Sequence, residues 1–138
     1  MTTNTFLPRA AAVLAAGGLA WLAKMAIITA TDGAVSDGAT AAGFLYLLGI
    51  ALMPVGLAAV AVALTASRPI VLRALAGVGG LLSFFVCYVL LDGIAKAVVG
   101  DAGPSWLQDE VGILATGTAL MAAGLLTARR AAAPRLAR

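Results

Sequence analysis

Lys24, Asp92 and Lys96 are charged residues set inside long apolar runs. A charge at the centre of a membrane helix costs roughly 2.5–3.5 kcal/mol on insertion scales, so each needs a partner or a task. Lys24 lies eight residues before Asp32, and Asp92 lies nine before Asp101. At ~1.5 Å of rise per residue, both sit about 12–14 Å below the adjoining loop. An ammonium and a carboxylate at one depth on different helices can offset each other's cost. The expected contact is therefore a Lys24–Asp92 ion pair linking the first and third apolar segments. Lys96 follows Asp92 by four residues, on the same helix face. It completes a polar cluster near the loop, where its long stem can snorkel. In the competing arrangement both lysines snorkel, and Asp92 pairs with Lys96 along its own helix. Trp21 and Tyr88 lie within a turn of Lys24 and Asp92, as candidate walls of a cavity; simple packing is their blander role.

The chemistry open to such a cluster is electrostatic binding. Two ammonium groups against one carboxylate favour a small polar or anionic solute. Other chemistries lack their residues. The sequence has no histidine, which removes the commonest general base and the usual ligand for haem, zinc or copper. Cys87 is its one cysteine, so no internal disulfide forms. Phosphate-binding loops, HExxH and GxSxG are absent. Asp32-Gly33 and Asp37-Gly38 read as turns, because their spacing fits no EF-hand. No catalytic residue, metal or cofactor is expected, and an enzyme is disfavoured. The tail RRAAAPRLAR is too short a basic surface for nucleic acid and reads as an anchor near anionic lipid.

These side chains must be positioned by membrane helices. The chain has 138 residues, 62% hydrophobic and 11% charged. Soluble domains carry roughly 25% charged residues, so this chain lacks the polar surface to face water all round. Its apolar residues fall in four blocks, Ala10 to Ala30, Ala41 to Thr65, Ala74 to Val99 and Val111 to Ala128. A membrane helix needs about 20 residues, and each block is near that length or longer. The expected fold is all-α, a polytopic four-transmembrane-helix bundle forming a single membrane domain over residues 1–138. The first block also resembles a signal peptide, but Lys24 interrupts it and it is long for such a segment.

Charge sorting gives the orientation. Arg9, Arg68, Arg73, Arg129, Arg130, Arg135 and Arg138 fall on one side of the four-span plan. Asp32, Asp37, Asp101, Asp109 and Glu110 fall in loops on the other. Lys and Arg favour the cytoplasmic side, so both termini are expected there. The Ala, Gly and Arg bias suggests a GC-rich bacterial genome and hence a bacterial plasma membrane.

GIALMPVGL (Gly49 to Leu57) resembles GTALMAAGL (Gly117 to Leu125), with six of nine positions identical. Two tandem helical hairpins, related by an axis along the membrane normal, would produce such an echo; a chance match of small residues also would. Gly49 and Gly56, and Gly117 and Gly124, are each seven apart, so each pair marks one helix face. Small residues let helices approach closely in lipid. The second and fourth spans are expected to pack together through these faces, with Ala76/Gly80 and Ala119/Ala123 as further small pairs. Pro54 should bend the second span. Trp106 fits an interfacial belt.

The bilayer is the first partner. A pathway through so small a chain implies a homo-oligomer or a larger membrane complex. The leading functional expectation is an oligomeric transporter or channel using the Lys/Asp cluster. The alternative is a non-enzymatic accessory, assembly or scaffold subunit.

Overall fold

The computed structural model describes residues 5–35, 40–100 and 103–133. Asp37, Gly38, Asp101, Arg135 and Arg138 lie outside them. The described residues form four helices and no strand: α1 (Phe6–Ala30), α2 (Ala41–Leu64), α3 (Ile70–Val99) and α4 (Ser105–Ala132). All four are long and apolar enough to cross a membrane. The protein is a multi-pass, four-helix membrane bundle.

Turn chemistry sets the helix ends. α1 gives way to a turn in which Asp32 (φ 48°) and Gly33 (φ 79°) take left-handed backbone. Thr40 starts α2, its hydroxyl accepting the Gly43 N–H at 3.3 Å. Pro69 and Pro104 stand directly before α3 and α4. Proline's fixed φ suits a helix entrance, and its missing N–H goes unmissed there. α4 thus begins at Ser105, not near Val111 as hydropathy suggests. Polar side chains in the first turns of a helix can face water, so polarity did not mark the boundary. α1 and α3 likewise start earlier than expected, at Phe6 and Ile70. α2 runs without interruption through Pro54, whose missing N–H leaves the Ile50 carbonyl without its usual helical donor.

Short connections make successive helices run in opposite directions. α1 and α3 each pack between α2 and α4. α1 is the hub: 56% of its apolar window is buried, against 6% for α3. The buried stripe of α1 is Ala10, Leu14, Gly17, Trp21, Lys24 and Ile28, a helical face at spacings of three and four. Phe84 is the buried residue of α3.

The glycines of the repeat face α1 from two sides, not each other. A methyl group added at Gly56 of α2 would lie 2.7 Å from the Leu14 backbone, and one added at Gly124 of α4 would lie 2.7 Å from the Ala11 carbonyl oxygen. Gly49 supports the Trp21 indole, and Gly117 meets Gly18 and Trp21. The expected α2–α4 packing is therefore corrected. Each seven-residue glycine face opens a groove for α1, which separates the two helices that carry them. Gly18 and Gly117 bring backbones into contact, since a methyl at Gly18 would come 2.5 Å from the Gly117 carbonyl oxygen. Gly80 packs on Leu57 and Ala58 of α2. Ala119 and Ala123 are exposed and serve no such contact.

Candidate functional site: a buried intramembrane ion pair

One turn of α1 touches all of its neighbours. Trp21 stacks on Tyr46 of α2, with centroids 5.8 Å apart and planes 7° apart. Its indole N–H donates to the Tyr46 carbonyl at 3.0 Å. The same ring meets Phe84 and Tyr88 of α3 at 6.1 and 5.8 Å. Gly49 makes this possible, because any side chain there would occupy the indole's space. Trp21 and Tyr88 are thus direct neighbours in an aromatic plug across the bundle. Their rings meet edge to face, with centroids 5.8 Å apart.

Lys24, one turn further along α1, reaches α4. Its Nζ lies 2.6 Å from both carboxylate oxygens of Glu110. The two side chains are 3% and 8% exposed, so the pair is sealed from solvent and lipid alike. The Tyr46 ring lies 4.9 Å from the ammonium and offers its π face. The ammonium has thus exchanged water for a bidentate carboxylate and a ring. Both charges sit about 8–9 Å inside their helix ends at ~1.5 Å per residue. In so dry a setting the attraction is strong, but each charge depends on its partner to offset lost hydration.

The expected Lys24–Asp92 pair does not form. Glu110 takes Lys24 because α4 starts early enough to carry that carboxylate into the bundle. Glu110 is therefore no loop residue. It lies seven residues before Gly117 and fourteen before Gly124, on the face that clasps α1. That phase was the available signal, and hydropathy hid it by leaving Glu110 outside the span. Asp109, one residue away, faces elsewhere.

Asp92 lies over Gly112 of α4, where a side chain would collide with its carboxylate. It accepts from Lys96 Nζ at 2.9 Å along its own helix. This is the competing arrangement for Asp92. Lys96 is half exposed, whereas Lys24 is buried and does not snorkel. Beside this pair, a cleft of about 310 Å³ opens between the ends of α3 and α4, lined by Lys96, Gly100, Gln108, Asp109 and Val111 among others. With Glu110 included, the two ion pairs hold two ammonium groups and two carboxylates. The excess positive charge that favoured an anionic solute is gone.

The burial of Thr116 and the partner of Trp106 were not anticipated. Thr116 of α4 is fully buried, and its hydroxyl has no hydrogen-bond partner among the described residues. Trp106 donates its indole N–H to Asp32 at 3.3 Å and packs on Gly33. It ties the start of α4 to the turn after α1. No group of three or more His, Cys, Asp or Glu side chains stands together among the described residues as a metal site would require. No family model, curated protein or solved structure matches this chain.

Proposed function

We propose that this protein is a small transport-type membrane protein, acting in several copies, whose Lys24–Glu110 pair gates the passage of a small polar solute. The observation that carries the reading is a bidentate ion pair only 3% and 8% exposed within membrane-spanning helices. Ionisable residues at such depth are costly and by default point to a solute or proton pathway, and a buried ion pair by itself adds little net stability over apolar packing. The closed pair and the aromatic plug of Trp21, Tyr46, Phe84 and Tyr88 hold the four helices together at one level. Separation of Lys24 from Glu110 would free one donor group and one acceptor group for a solute. The polar cleft at Lys96, Gln108 and Asp109 supplies an entrance from the same end. Because the charges balance, a neutral or zwitterionic polar solute fits better than an anion. The host membrane is read from composition as a bacterial plasma membrane, with the arginine end cytoplasmic.

A second reading, an accessory or assembly subunit, is favoured by α3. That helix leaves Gly79 and Gly93 with open space around them, and Phe84 is its one buried residue. Flux of small polar solutes into proteoliposomes, compared between the native protein and Glu110→Gln, separates the two. Flux that changes with Glu110→Gln supports the gate. Absence of flux across neutral, zwitterionic and ionic solutes, with the protein extracted in a larger complex, supports the subunit.

A further inference from the structure

We infer that the groove between α1 and α4 holds one acyl chain of an anionic phospholipid, with its phosphate between Arg9 and Arg129. The groove has a volume of about 520 Å³ and almost wholly apolar walls. Its rims are Ala12, Ala16 and Leu19 on α1, and Met121, Leu125 and Ala128 on α4. Small residues hollow it out. Gly124 lets the two backbones touch at its floor, and the alanines of α1 leave the space above unfilled.

Length and charge select the occupant. From Ala11 to Leu19 the groove follows α1 for about 12 Å at ~1.5 Å per residue. One leaflet of a ~30 Å hydrocarbon core is about 15 Å deep, so the groove matches a single leaflet's acyl chain. At its end stand the two arginines. Arg9 lies three residues before Ala12 and seven before Ala16, on the same face of α1. Arg129 lies four residues after Leu125 and eight after Met121, on the groove side of α4. Both are exposed. A guanidinium is suited to a phosphate, to which it offers paired donors. No carboxylate competes for them at this end: every described Asp and Glu belongs to the opposite half of the bundle. An apolar slot one leaflet long, capped by two cations, has the chemistry of an anionic phospholipid. A transmembrane helix of a second copy would need no cations at the groove's end.

The test is native mass spectrometry of the full chain, extracted in mild detergent from vesicles containing equal phosphatidylglycerol and phosphatidylcholine. The native protein should retain phosphatidylglycerol preferentially, at one molecule per chain. The Arg9→Gln, Arg129→Gln double variant should lose that preference by about thirtyfold, taking roughly fivefold per basic residue near the lipid surface. Ala16→Phe fills the groove from an exposed position and should abolish retention of either lipid. Arg130→Gln is the control. It removes an arginine at the same membrane level, but a helical turn of 100° per residue directs it away from the groove. Equal loss from Arg130→Gln would show a diffuse basic surface and overturn the site. Unchanged lipid retention in Ala16→Phe, or loss of a dimer in that variant, would overturn it in favour of no occupant or a second copy.

Discussion

Lys24 and Glu110 are 86 positions apart in sequence, yet Lys24 Nζ lies 2.6 Å from both Glu110 carboxylate oxygens. Loss of one partner strands the other without water. Glu110→Ala should therefore cost about 3–5 kcal/mol, whereas joint replacement by apolar residues of similar size should be close to neutral. The measurement is unfolding of Glu110→Ala, Lys24→Met and the Lys24→Met, Glu110→Leu double variant in detergent. Additive losses would contradict the pair.

Asp92 offers the contrast. Its partner Lys96 is on its own helix and half exposed, so neither side chain depends on the other to remain in the bundle. Asp92→Ala should lower the unfolding midpoint far less than Glu110→Ala. An equal or larger effect would make Asp92 the structural carboxylate.

Gly49 and Gly93 should respond oppositely to alanine. At Gly49 the new methyl overlaps the Trp21 indole, and overpacking of this kind costs about 1–3 kcal/mol. At Gly93 no atom lies within 4 Å, and the residue is helical. Gly93→Ala should be neutral or slightly stabilising, by up to ~1 kcal/mol. Thermal midpoints of the two variants in the same detergent decide this.

Trp106→Phe keeps an aromatic ring, though a smaller one, but removes the donor to Asp32. A net loss of about 0.5–1.5 kcal/mol is expected, concentrated locally. Hydrogen exchange of the amides of residues 31–35 should quicken, while exchange in the centre of α2 stays unchanged. Uniform quickening would mean that Trp106 supports the whole bundle.

Much of the fold was legible because lipid imposes simple rules. Four apolar blocks of sufficient length must be helices, since each satisfies its own backbone polar groups. The glycine faces were legible as close-packing surfaces, because a seven-residue spacing returns to nearly the same side of a helix. Their partner was not. Gly49 and Gly117 occur in matching strings, which suggested that α2 and α4 meet, but both face α1. Spacing along one helix says which residues share a face and nothing about what that face touches.

The candidate site shows the same division. The sequence by itself determined that Lys24 lies within a membrane helix and needs a counter-charge, because an unpaired ammonium is costly in hydrocarbon. It also determined that Asp92 and Lys96 share a helix face. Only the tertiary structure decided that Glu110 is the counter-charge. The physical reason is the placement of a helix start: Pro104 begins α4 early, and the stripe shared by Glu110, Gly117 and Gly124 then turns inward toward α1. Partner choice across the bundle depends on helix rotation and register, which no local pattern encodes.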